Sequence, residues 1–134
     1  MADVDPAELI ELDSNFLVAA LGRGSAAGRQ LEHWLGHGML VQMSAVAWSE
    51  YLCGPLHEFE AQTARRTLSG ISSFTEEDAE LASDLFNRTG RRSRSHVDCM
   101  IASHAIRRNA LLATRNIQDF QRFEKHQLRL APKP

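Results

Sequence analysis

Short apolar runs separated by helical stretches constrain the topology of this chain more tightly than any other feature. Leu9 to Leu12, Met39 to Met43, Ile71 to Phe74, Ala110 to Ala113 and Leu128 to Leu130 have strand length, and segments of helical character lie between them. Runs spaced this way are joined by crossovers, not hairpins, and crossovers pair strands in parallel. The expectation is one α/β domain over residues 1–134 with a mostly parallel central sheet.

Local signals place the helices. Asp13-Ser14-Asn15 supplies cap-type side chains directly after the first run, ahead of the apolar stretch Phe16 to Leu21. Leu31, Trp34 and Leu35 mark a second helix that stops near Gly36 and Gly38. Ser44 is a candidate N-cap for a helix carrying Val46, Ala47, Glu50, Tyr51 and Leu52, ended by Gly54-Pro55. Residues 57 to 69 have helical composition with a weak apolar stripe. Thr75-Glu76-Glu77-Asp78 combines a cap hydroxyl with acids in a first turn, where the helix dipole favours them. Val97 to Arg108 reads as an amphipathic helix closing at Asn109, and Asn116 or Asp119 opens a short helical turn that holds Phe120 and Phe123.

Bulk properties narrow the function. The 134 residues are 43% hydrophobic and 24% charged, enough to bury a core, and the net charge of -2 excludes a protein that coats nucleic acid through overall charge. Any contact with phosphates must be a local patch. Cys53 and Cys99 show neither a CxxC nor a Cys/His zinc spacing, so a reducing cytoplasm is the expected compartment. The acidic start, MADVDPAELIELD, is unlike an export signal, and no run approaches the length of a membrane span.

The acids carry the chemistry. Ligands of an open parallel sheet bind outside the carboxyl ends of its strands. Asp13 follows the first strand, Glu50 lies on the helix after the second, and Asp98 opens the helix before Ala110 to Ala113, so all three can face one edge. Two such charges at 4 Å repel by roughly 4 kcal/mol at an effective dielectric of 20, and a hard divalent cation relieves that repulsion. Oxygen-only ligation favours Mg²⁺ or Mn²⁺ over Zn²⁺. The sequence shows no GxSxG elbow or P-loop, and its lysines, Lys125 and Lys133, lie near the C-terminus, away from the acidic strand end of a phosphoacceptor domain.

Four segments extend this pattern: Leu12-Asp13-Ser14-Asn15-Phe16-Leu17, Trp48-Ser49-Glu50-Tyr51-Leu52-Cys53-Gly54, Val97-Asp98-Cys99-Met100-Ile101-Ala102 and Leu112-Ala113-Thr114-Arg115-Asn116-Ile117-Gln118-Asp119-Phe120. In order and spacing they resemble the signature blocks of PIN-domain nucleases, and among these the VapC-type toxins of toxin-antitoxin pairs. The resemblance implies a three-layer α/β/α sandwich and Mg²⁺- or Mn²⁺-dependent endoribonuclease activity, with Asp13, Glu50 and Asp98 as metal ligands. It implies that Asn15 braces the first acid and that the Thr114 hydroxyl lies near the metal. The fourth acidic place of the family falls on Asn116 here, with Asp119 three residues later, so either residue is a candidate for the outer position. It further implies an RNA substrate, a cognate VapB-like antitoxin and a homodimer. The rival readings are a PIN nuclease of ordinary RNA processing and an inactive PIN fold used as a binding module.

Other features have less specific readings. Arg91, Arg92 and Arg94 precede Asp98 and suit phosphate contact or a solvated loop equally, and Arg115 has a similar claim. His33 and His37, spaced i, i+4, read as a surface face, and His96 as a loop residue. Trp48 reads as packing, and both cysteines as small buried side chains.

Overall fold

A computed structural model describes residues 4–56 and 58–134. The elements in chain order are β1 (Leu9–Leu12), α1 (Ser14–Ala20), α2 (Ala26–Gly36), β2 (Leu40–Ser44), α3 (Ala45–Leu52), α4 (Glu58–Thr67), β3 (Gly70–Ser72), α5 (Glu76–Arg88), α6 (His96–Arg107), β4 (Leu111–Ala113), α7 (Ile117–Gln121) and β5 (Arg129–Leu130). The helical reading of 57 to 69 becomes α4 from Glu58. Position 57, like the first three residues of the acidic start, lies outside the described residues.

All strands are parallel, in the order β3-β2-β1-β4-β5. The chain builds outward from β1 to β3, then returns across the sheet to place β4 on the other side of β1. Right-handed crossovers therefore put the helices before β3 on one face and those after it on the other, giving the α/β/α sandwich. The reversal between β1 and β4 opens a crevice at their carboxyl ends, the usual ligand position in such sheets. Among the described residues no helix is long and apolar enough to cross a membrane.

Local chemistry fixes the element ends. Asp13 is the N-cap of α1 and accepts from Ser14 N–H at 2.8 Å, so β1 passes into a helix without an intervening turn. Ser44 Oγ caps α3 by accepting from Ala47 N–H at 3.1 Å. Thr75 and Asp78 form a reciprocal capping box on α5. Gly28 lets α1 and α2 approach closely, since a Cβ there would stand 2.7 Å from the Ala20 carbonyl oxygen.

The core runs through both faces of the sheet, with Ile10, Leu12, Phe16, Leu17, Trp34 and Met43 among its fully buried members. Trp48 packs as expected, stacked on Tyr51 at 5.5 Å between centroids. Cys99 is buried, but Cys53 is exposed, because it caps the end of α3 and turns outward.

One buried network is polar. Glu11 of β1 meets His104 Nδ1 of α6 at 2.8 Å and accepts from Gln42 Nε2 of β2 at 2.7 Å, while His104 Nε2 lies 3.0 Å from Ser72 Oγ of β3. Glu11 and His104 are essentially inaccessible to water. Because β1 side chains alternate between faces, Glu11 shares the α6 side with Asp13, and Ile10 and Leu12 turn to the opposite layer.

Candidate active site

The carboxyl ends of β1 and β4 are stitched together by backbone and side chain. Asp13 N–H donates to the Ala113 carbonyl at 2.9 Å, and Thr114 Oγ1 donates to Asp13 Oδ2 at 2.8 Å. The same hydroxyl accepts from Asn116 N–H at 3.0 Å. Asn15 Oδ1 accepts from Arg115 N–H at 3.1 Å. Asn15 therefore braces the loop that carries Thr114, and through it the first acid.

Glu50 projects from α3 toward this end and accepts from Ser14 Oγ at 3.3 Å. Asp98 stands in the first turn of α6, where the helix N-terminus favours an anion. Burial pushes the Asp13 carboxyl up to about 6, against the lowering effect of its bonds from Thr114 and Ser14, and the charge of Glu50 adds to the rise. Asp98 is likewise raised to about 6, first by burial and then by Asp13, with Asp119 contributing. Glu50 is raised by burial and by Asp98, against its bond from Ser14. Asp13, Glu50 and Asp98 thus lie within electrostatic reach of one another, with Asp119 in reach of Asp98, although among the described residues no three such side chains already converge on a single ion position.

Asn116 and Asp119 occupy different places. Asn116 is the N-cap residue of α7 without a side-chain cap bond, and it borders a groove of about 580 Å³ shared with Ser14, Asn15, Glu50 and Arg115. Asp119 is exposed on α7, and its charge reaches Asp98. Arg91 and His96 turn to local partners instead: the Arg91 guanidinium sits 5.2 Å from the Phe86 ring centroid and pairs with Asn87, and His96 meets Phe86 edge-on. His33 and His37 form their own contact on α2, with His37 Nδ1 2.7 Å from the His33 carbonyl oxygen.

Arg122 was not legible as a site residue. Its Nη2 lies 4.0 Å from Asp98 Oδ2, its side chain is only 12% exposed, and it rests on the Phe123 ring at 4.4 Å. Its charge opposes the rise of Asp98. The available signal was position: Arg122 follows Asp119 by three residues at the end of the same short helix, which brings both to one side.

This geometry has counterparts among known proteins. A sequence model of the PIN domain matches residues 10–126. No curated protein matches the chain in sequence. Solved structures of similar fold include VapBC2 from Rickettsia felis bound to a DNA fragment from its promoter, at 23% identity and a TM-score of 0.72, covering 94% of this chain and 99% of that one. A toxin-antitoxin complex from Klebsiella pneumoniae is 26% identical with a TM-score of 0.66, covering 83% of this chain and 89% of that one. VapC20 from Mycobacterium tuberculosis, described as a sarcin-ricin loop cleaving toxin, is 21% identical with a TM-score of 0.57, covering 75% and 84%.

Proposed function

The chain belongs to the PIN-domain family, and from that premise we propose that it is a Mg²⁺-dependent endoribonuclease, the toxin of a VapBC-type pair. Asp13, Glu50 and Asp98 serve as the metal ligands in this reading, with Asn116 and Asp119 at the outer edge. The observation that carries it is the set of mutually repelling, part-buried carboxylates at the point where strand order reverses. Such a set costs folding energy unless a cation joins it. The donors at hand are all oxygens, which fits Mg²⁺ or Mn²⁺.

When bound, a divalent ion there neutralises a phosphate oxygen and lowers the pKa of a water. The side chains do the positioning. Thr114 and the Ser14 N–H hold Asp13 by both oxygens, and Ser14 Oγ holds Glu50. α6 fixes Asp98 in its first turn, with Arg122 balancing part of its charge. The groove that runs from Glu50 past Asn116 and Arg115 gives an RNA strand access to this edge.

The antitoxin and homodimer belong to the same proposal, as does a cytoplasmic location. Support for a covering partner comes from the toxin-antitoxin complexes of similar fold and from Val18, Leu21 and Leu52, large apolar side chains left exposed on and beside α1 and α3. The test is cleavage of RNA by the purified chain in Mg²⁺, Mn²⁺ and EDTA, repeated with Asp98→Asn and after co-expression with the product of the adjacent small gene. Cleavage that persists in EDTA or in Asp98→Asn overturns the metal site. Cleavage unaffected by any adjacent gene product overturns the toxin role and leaves the nuclease.

A further inference from the structure

We propose that Arg115 and Lys133 form a phosphate-binding subsite beside the carboxylate cluster, holding the backbone of the RNA substrate. This inference rests on the nuclease reading and adds where the substrate is gripped. Arg115 sits where three cavities meet. It borders the 580 Å³ groove containing Glu50 and Asn116, and it shares with Lys133 both a cavity of about 320 Å³ under Thr114 and one of about 300 Å³ beside Asp119. Arg115 thus borders the groove of Glu50 and, with Lys133, the two cavities next to it.

The two side chains are available. Seven of the 15 Lys and Arg side chains are engaged elsewhere: Arg107 and Arg108 with Asp78, Arg129 with Glu8, Arg88 with Asp84, Arg122 with Asp98, and Arg65 and Arg91 over aromatic rings. Arg115 and Lys133 are exposed, and among the described residues neither side chain makes a hydrogen bond or ion pair.

Their positions are nevertheless fixed. Asn15 holds the Arg115 backbone at 3.1 Å. The C-terminal segment is held too, because Ala131 N–H donates to the Leu112 carbonyl at 2.8 Å and the buried Gln30 donates through Nε2 to the Pro132 carbonyl at 2.8 Å. Lys133 stands between Pro132 and Pro134, whose rings limit the backbone on either side. A backbone held in this way presents the Lys133 ammonium beside the cavities it shares with Arg115.

The charge balance favours such a site. A phosphate brought to 4 Å from one carboxylate meets roughly 4 kcal/mol of repulsion at an effective dielectric of 20, and the whole chain carries a net charge of -2. A divalent ion among the acids would offset part of this, and cations beside the cluster offset the charge of the neighbouring phosphates. The Arg115 fork suits two phosphate oxygens, and Lys133 supplies a mobile point charge further along the strand.

The experiment measures binding of a fluorescent single-stranded RNA oligonucleotide of mixed sequence across a salt series. Asp98→Asn protein in Mg²⁺ is used so that the probe stays intact. Arg115→Ala and Lys133→Ala should each weaken binding and reduce the magnitude of the log–log salt slope by roughly 0.7, the double variant by about twice that. Lys133→Arg should restore the slope. Arg66→Ala, which removes the same charge from α4, should leave it unchanged. A slope unaltered in the double variant overturns the subsite while the nuclease reading stands, provided the wild type cleaves RNA. An equal fall in Arg66→Ala also overturns it, since the effect is then general charge. A wild type that neither binds nor cleaves RNA overturns both.

Discussion

Thr114 Oγ1 donates its proton to Asp13 Oδ2 at 2.8 Å, across 101 positions of sequence. The bond exists because β4 pairs directly with β1, so the residues that follow these strands face each other across the crevice. The Asn116 N–H occupies a lone pair of the same oxygen, and of the two acceptors in reach of the hydroxyl proton the Asp13 carboxylate, at 2.8 Å, is nearer than Asn15 Oδ1, at 3.5 Å. Asp13 is thereby aimed, and the donated bond partly offsets the burial that raises it.

Thr114→Val keeps the shape of the side chain and removes that donor. RNA cleavage should fall by about 10- to 100-fold, the usual cost of losing the group that orients a metal ligand, and the Mg²⁺ needed for half-maximal rate should rise. Thr114→Ser should retain most of the activity. Cleavage rates against Mg²⁺ concentration decide the matter, and a wild-type rate in Thr114→Val would reject the orienting role.

Asp13→Asn, Glu50→Gln and Asp98→Asn should each abolish cleavage with the fold intact. The metal-free wild type supplies a second readout. Asp13 titrates near 6 when folded and near 3.9 when unfolded, so the folded state binds more protons between those values. Its contribution is therefore fully present below about pH 3.9 and is lost as pH rises through about 6. A difference of two units corresponds to about 3 kcal/mol. In urea titrations without metal, Asp13→Asn should be more stable than wild type at pH 7.5 and gain little at pH 4. Equal stability at pH 7.5 would mean that Asp13 is not strained by its surroundings.

The sequence exposes what is local and hides what is paired at a distance. The cap at Ser44, the acidic first turn after Thr75 and the strand that stops before Asp13 are legible because each signal lies within a few residues of the feature it specifies. Glu11 is not, since it interrupts the apolar run Leu9 to Leu12 and finds its partners on β2 and α6, 31 and 93 positions away. Asp78 reads as one more first-turn acid, yet it is fully buried against arginines of α6. Cys53 reads as buried from residue type alone, whereas helix phase at the end of α3 turns it outward. The candidate acids were reachable because strand ends and signature spacing are sequence properties; Arg122 required knowing which side of α7 faces α6.

Glu11→Ala should destabilise the protein by about 3–5 kcal/mol, the usual result of removing one member of a buried pair. The loss leaves His104 Nδ1 and the Gln42 amide without their acceptor in a region closed to water. Chemical denaturation measures it directly. A loss below about 1 kcal/mol, the range of an exposed pair, would show that the network is worth no more than surface contacts.

Asp78 gives the sharpest acid dependence. Its burial would raise the carboxyl, but bonds from Arg108, from the Thr75 N–H and from Arg107, together with the Arg108 charge, hold it well below the usual carboxylate range. Arg108 spans both oxygens at 2.9 Å, Arg107 adds a bond at 2.9 Å, and Thr75 N–H closes the set at 2.8 Å, clamping α5 to α6. Because the folded pKa lies below the unfolded one, the stabilisation is complete above the unfolded value of about 3.9 and is lost as pH falls through the folded value. Asp78→Asn should cost about 3–5 kcal/mol at pH 7, since two guanidinium groups lose their counter-charge. The gap between variant and wild type should narrow steadily as the pH is lowered toward 2, because the unfolded chain then takes up at Asp78 a proton that the folded state resists. Denaturation curves at several pH values test this, with metal chelated so that the cleft acids do not contribute through bound ions. A gap that stays constant from pH 7 to the acid limit would mean that the clamp acts through shape and neutral hydrogen bonds, and the charge of Asp78 would then be incidental to the packing of α5 on α6.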